Sequence, residues 1–134
     1  DAVVIAADTV VAIDNQILGK PNNREDAFNM LKKLQGRTHE VFTGTSIVYQ
    51  ERVKCFCVKC SVTFDCISDD ELKTYVASGE CDDKAGAYAL QGIASIFIKE
   101  VSGSVTTVIG LPINEVRKAL RELGGCIKIV SGTK

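Results

Sequence analysis

Tryptophan is absent from this chain of 134 residues, and histidine and methionine each occur once. A single histidine, His39, excludes every metal motif that needs two, such as a paired-histidine helix or a Cys2His2 finger. With two prolines in the whole sequence there is no proline-rich linker. Excess charge is missing as well. Sixteen basic and seventeen acidic residues give a formal net charge of −1, so neither a nucleic acid nor an anionic membrane surface is indicated as a partner. Long apolar runs are also lacking. The run over residues 2–13 is shorter than the roughly 20 residues that span a bilayer, and it contains Asp8. It follows no basic leader, and the first residue is Asp1 where an initiator methionine would stand. A further segment upstream is therefore expected. What is present is ordinary for one globular domain with its own core: 46% hydrophobic and 25% charged residues.

The six cysteines are Cys55, Cys57, Cys60, Cys66, Cys81 and Cys126. A disulfide framework suits short secreted chains that lack a core, which this one does not. Cys57-x2-Cys60, with Cys55 nearby, resembles half of a zinc site, but no second ligand pair follows. The spacing also falls in an expected strand, where cysteines serve as small apolar residues. Reduced, structural cysteines and a cytoplasmic location are the expectation.

The run at residues 3–13, VVIAADTVVAI, is rich in β-branched residues and reads as a buried strand. Asp8 is its only charge, and burying a carboxylate is costly without a partner. Asp8 must therefore break the strand at a turn or face a site. Asp14-Asn15 supplies turn chemistry before Ile17-Leu18, predicting a hairpin. A helix follows, capped by Asn22 or Asn23, with Glu25 and Asp26 at its start and Lys32 and Lys33 at its end. Its apolar stripe is Ala27, Met30, Leu31 and Leu34, and Gly36 stops it. Two long strands over residues 38–50 and 53–65 meet near Glu51-Arg52. Ser68-Asp69-Asp70-Glu71 is a capping box for a helix ending at Gly79. A polar loop then runs to Gly92, followed by a strand at 95–101 and a helix from Pro112 to Leu123. Residues 126–130 read as a short strand or a tail. The expected fold class is α/β, one domain over residues 1–134 with a mixed central sheet flanked by helices.

Gly19-Lys20 fails as a P-loop, because Asn15 and Pro21 stand where a glycine and a hydroxyl are needed. The segment at 36–40 adds Arg37 and His39, readable either as site residues or as a helix cap leading into a strand. The loop at 79–92 packs Glu80, Asp82, Asp83 and Lys84 between glycines that let a backbone approach a ligand. Grouped carboxylates suit Mg²⁺ or Mn²⁺. Gln91 offers an amide that can donate and accept toward a base edge. With no nucleophile elbow, metal-assisted hydrolysis fits the inventory better than covalent catalysis.

Taken in order, ADTVV at 7–11, LGKP at 18–21, GRTHEVFTG at 36–44, GECDDKAGAYALQG at 79–92 and GLP at 110–112 resemble the Maf family. These are septum-formation-inhibitor-like nucleoside triphosphate pyrophosphatases. The resemblance spans roughly residues 3–123. It implies a two-lobed fold related to the inosine triphosphatase type, with a cleft between the lobes. It also implies hydrolysis of a nucleoside triphosphate to monophosphate and pyrophosphate with a divalent cation, Mg²⁺ or Mn²⁺. On the matching motifs Asp8 takes the proton-acceptor position and is the implied metal contact. Thr9 and Gln91 fall on positions tied to base selection, and Lys20 on a phosphate-contacting lysine. Glu80, Asp83 and Lys84 fall on the charged loop lining the cleft. Gln91 points to the dTTP and UTP branch. Three departures stand out. The family's serine-rich SxSPRR segment does not precede ADTVV, so the domain reads as incomplete at its N-terminus. Cys81 replaces a proline, and Val105 and Thr107 replace an aromatic residue and an asparagine. Two other readings remain: a non-catalytic nucleotide-binding or regulatory module, and an inosine or xanthosine triphosphatase. Nothing in the sequence decides between a monomer and a homodimer.

Overall fold

Two tight turns made without glycine organise the sheet. Asp14 and Asn15 adopt φ of 52° and 60°, and Gln50 and Glu51 adopt 50° and 65°. Paired positive φ angles are the mark of a type I′ turn, whose twist matches that of the strands it joins. The computed structural model describes residues 2–125. Its elements are β1 (Val3–Ile13), β2 (Gln16–Leu18), α1 (Arg24–Leu34), β3 (Thr38–Tyr49), β4 (Arg52–Phe64), α2 (Asp69–Ala77), β5 (Ile98–Gly103), α3 (Val105–Ile109) and α4 (Ile113–Glu122). The expected strand or tail at 126–130, with Cys126, lies outside the described residues. The strands form one sheet in the order β2-β1-β3-β4-β5, and every pairing is antiparallel. The α/β class stands, with helices packed on the sheet, but the sheet expected to be mixed is antiparallel throughout.

The local signals for α1 and α2 hold. The Asn23 side chain accepts from the Asp26 N–H at 2.7 Å, and Ala27, Leu31 and Leu34 are buried. In α2 the Ser68 hydroxyl accepts from the Glu71 N–H and the Glu71 carboxylate accepts from the Ser68 N–H, both at 3.2 Å. Leu72, Tyr75 and Val76 face inward. These residues join Val11, Val41, Val62 and Phe64 in the larger core. A smaller core gathers Ile47 under Val116, Ala119, Leu120 and Leu123. There Arg52, just past the β3–β4 turn, donates to the Leu123 carbonyl at 3.2 Å and to the Glu122 carbonyl at 3.3 Å. These are two of the carbonyls that the end of α4 leaves unpaired.

Strand alternation places Thr9, Val11, His39, Val41, Thr43, Ile47, Cys60 and Val62 on the covered face. The opposite face carries Val4 (59% exposed) and Val53 (60% exposed), with Asp8, Gly44, Cys55 and Cys57. This corrects two expectations. First, the run at 3–13 is not buried throughout. β2 pairs only with Val11–Ile13, residues 3–8 are exposed, and among the described residues nothing pairs with their free edge. Second, Cys55 and Cys57 are exposed while Cys60 is buried. The pleat of β4 aims Cys57 and Cys60 at opposite faces, so one ion could not be bound by both.

The strand expected at 95–101 begins at Ile98, after a 3-10 helix at Ile93–Phe97. A carboxylate caps that helix, as described below, and a three-residue spacing buries Ala94 and Phe97. The five residues of α3 were not foreseen; VTTVI has strand-like composition, and the helix ends at Gly110 with φ of 122°. No helix among the described residues is long and apolar enough to cross a membrane.

Candidate functional site

The loop from Gly79 to Gly92 is anchored at its start to α2 and the 3-10 helix, and in its middle it lies against β1. At its start, Glu80 turns its carboxylate inward and accepts from the Tyr75 hydroxyl at 2.7 Å, the Ile93 N–H at 2.8 Å and the Ala94 N–H at 3.2 Å. Those amides open the 3-10 helix, where N–H groups lack partners within the helix. Burial pushes the Glu80 carboxyl up, but the Tyr75 hydroxyl and the two N–H groups outweigh it and hold the acid below its ordinary range. The same contact pushes the Tyr75 phenol up, on top of a larger effect of burial. Gly92 makes this approach possible: a Cβ there would lie 1.8 Å from Glu80 Oε1. Further along, Gly86 at φ +68° sits so close to Val11 that a Cβ would meet its side chain at 2.8 Å. The Gly86 N–H donates to the Gly19 carbonyl at 3.0 Å, which ties the loop to the segment that carries Lys20.

Tyr88 closes this arrangement from below. Its hydroxyl lies 2.7 Å from His39 Nε2, and its ring meets Phe64 and His39 edge-on at 4.9 and 5.4 Å. His39 is 1% exposed, and burial lowers its pKa from 6.5 to about 4. The segment at 36–40 is thus structural. Gly36 follows α1 at φ +66°, and Arg37 pairs with both Asp14 oxygens at 2.9 and 2.5 Å. A pH prediction follows from His39. Below pH 6.5 the unfolded chain takes up a proton that the folded chain refuses until about pH 4. Stability is therefore lost as pH falls through that window, on the order of 3 kcal/mol in all. Urea unfolding at pH 7 and pH 4.5 should show the fall, and His39→Gln should flatten it. Glu80, whose folded acid is lowered, adds its own loss only toward more acidic pH.

The loop, β1 and α3 enclose a cleft of about 500 Å³ lined by Asp8, Thr9, Lys20, Glu80, Asp83, Lys84 and Gln91, with Val108 and Ile109 of α3 as an apolar wall. That volume is in the range of small-ligand sites. The structure therefore brings all seven sequence-predicted residues to one place. Their surroundings differ. Lys20 and Gln91 are exposed. Lys84 Nζ is 3.8 Å from Asp83 Oδ1, and both side chains remain solvent-accessible. Both Glu80 oxygens are already engaged. Asp8 stands at the rim, pairs in register with Gly44, and also borders a shallow depression on the open face beside Gly44, Cys55 and Cys57.

Sequence reasoning passed over Tyr75, which anchors Glu80, and Thr43, which bonds Thr9 at 2.9 Å. Thr43 lies inside the quoted GRTHEVFTG motif, but its partners are distant in sequence. Among the described residues no group of three or more His, Cys, Asp or Glu could hold a metal ion by itself. Mg²⁺ is commonly held by one or two carboxylates together with substrate phosphates and water. Asp8, with Asp83 across the cleft lining, fits that arrangement.

The sequence profile of the family described as Maf-like protein matches residues 1–123. Curated proteins named dTTP/UTP pyrophosphatase align along the same stretch. The one from Clostridium beijerinckii is 48% identical over 125 residues, 92% of this chain and 66% of that protein. Those from Bacillus velezensis and Syntrophus aciditrophicus are 45% and 47% identical over 122 and 126 residues, 91% and 92% of this chain and 65% and 62% of theirs. The chain thus spans a little under two thirds of the length of these relatives. A profile match over almost the whole described region, with identities above 40% over more than 120 aligned residues, makes the chain a member of the Maf-like protein family.

Proposed function

We propose that the cleft binds a nucleoside triphosphate of the dTTP or UTP type and hydrolyses it to monophosphate and pyrophosphate. The observation that carries this reading is the convergence of seven residues from three separated motifs on one cleft. The printed names of the relatives support the substrate class. Phosphoryl hydrolysis asks little covalent chemistry of a protein; it needs a placed water, cations on the phosphate oxygens and a proton acceptor. Lys20 and Lys84 both line the cleft and offset triphosphate charge. Asp8 takes the proton of the attacking water as the bond between the α and β phosphates breaks and pyrophosphate leaves. Thr9 and Gln91 meet the base. Glu80 acts through its hydrogen bonds, holding the loop that presents Asp83, Lys84 and Gln91. A divalent cation, Mg²⁺ or Mn²⁺, would be held by Asp8 and the phosphates; when bound it supplies charge neutralisation on the phosphate oxygens.

The test is a substrate panel on the intact protein with Mg²⁺ or Mn²⁺. Pyrophosphate release is expected to be faster from dTTP and UTP than from ITP. Calorimetric binding of dTTP without pyrophosphate release would instead show a nucleotide-binding module. Faster release from ITP would overturn the base assignment.

A further inference from the structure

We propose that Tyr75, which does not line the cleft, is a positioning residue for it. Its hydroxyl latches the Glu80 carboxylate and thereby sets how tightly the loop at 79–92 holds a triphosphate, leaving the step at Asp8 alone. The proposal rests on the reading of the cleft as a nucleoside triphosphate site and deepens it. It starts from a count of donors. An ionised carboxylate can only accept, and Glu80 is met by donors alone. Its Oε1 takes the Ile93 N–H at 2.8 Å, and its Oε2 takes the Ala94 N–H at 3.2 Å and the Tyr75 hydroxyl at 2.7 Å. A glutamine would set its amide NH2 group against one of those backbone N–H groups in either orientation. The fit is close, because the carboxylate occupies space that any side chain at position 92 would need.

Tyr75 ties this cradle to α2. It is 2% exposed, and its ring meets Phe97 edge-on at 5.7 Å. Phe97 ends the 3-10 helix that Ile93 and Ala94 open. One side chain therefore grips that helix at its last residue directly and at its first turn through Glu80. The Ala89 backbone bonds the same hydroxyl, which brings the far part of the loop to the same anchor. Asp83 and Lys84 stand between Glu80 and Ala89, and Gln91 stands between Ala89 and Ile93.

The consequence falls on affinity. Lys84 and Gln91 belong to the latched loop. Asp8 belongs to β1 and is paired with Gly44 of β3, apart from α2 and the 3-10 helix. Loosening the latch lets the loop open locally. Contacts made equally in the ground and transition states are then lost, and such a loss appears in KM.

The experiment compares the intact protein with Tyr75→Phe, Glu80→Gln and the double variant. Phenylalanine keeps the ring on Phe97 and removes only the hydroxyl. KM for dTTP should rise by about 10-fold in each single variant, with kcat within about threefold of the parent. The double variant should be no worse than Glu80→Gln, since both changes break one latch. Limited trypsin digestion reads the loop without substrate. Cutting after Lys84 should be faster in Tyr75→Phe than in the parent at a temperature where both are folded. Tyr75→Phe alone carries the test if Glu80→Gln fails to fold. Additive losses in the double variant, a fall in kcat with KM unchanged, or cutting at the parent rate overturns the proposal while leaving the pyrophosphatase reading standing. Failure of the parent protein to hydrolyse any nucleoside triphosphate overturns both.

Discussion

Asp8→Asn should lower dTTP turnover by about 10²- to 10⁴-fold, the usual contribution of a positioned general base, while the melting temperature stays where it is. The expectation follows from where Asp8 stands. It is exposed on a strand whose core contacts begin only at Val11, so no buried partner is stranded when its charge is removed. Asparagine keeps the shape and loses only the ability to take a proton. Loss of kcat with KM little changed is the pattern for an interaction made in the transition state. Steady-state kinetics and thermal unfolding on the same preparation check it. Unchanged turnover would remove Asp8 from the role of base, and a large drop in melting temperature would make its role structural.

The second large effect is structural and lies across the cleft. Gly86→Ala should cost roughly 2–4 kcal/mol of stability and reduce activity with it. The added Cβ would lie 2.8, 3.0 and 3.1 Å from Val11 Cγ2, Cβ and Cγ1. A rotamer change cannot clear all three, because the Cβ itself is too near. Val11 is 2% exposed and pinned between β2 and β3. The loop must therefore give way, breaking the Gly86–Gly19 bond and moving Lys84 relative to Lys20. The φ of +68° adds a backbone penalty for any residue with a side chain. A double-mutant cycle separates the two costs. Val11→Ala removes the two methyl contacts and leaves the one to Val11 Cβ at 3.0 Å, so Gly86→Ala should cost less in that background than in the parent. Additive losses would place the strain elsewhere.

Much of the fold is written locally. The capping box of α2, the stripe of α1 and the Asp14-Asn15 turn each depend on residues within one or two turns of chain. They were readable without tertiary information. The segment at 95–101 was not, because its first residues are drawn into a 3-10 helix by Glu80, thirteen and fourteen positions away. The exposure of Val4 and Asp8 was likewise hidden; β-branched composition suits a strand but does not say which face or edge has cover. At the site, motif order located the seven lining residues, whereas their physical roles required the structure. Glu80 reads as one more cleft carboxylate until its oxygens are found on Tyr75, Ile93 and Ala94. Thr43 carries no visible signal, since its partners are 34 and 64 positions away.

The most direct measurement of the central claim is the identity of the products when the intact protein acts on dTTP with Mg²⁺, followed by phosphorus NMR. The cleft should yield dTMP and pyrophosphate in equal amounts, with no intermediate diphosphate. Appearance of dTDP and inorganic phosphate, or an unchanged dTTP spectrum under conditions where calorimetry shows binding, would contradict it.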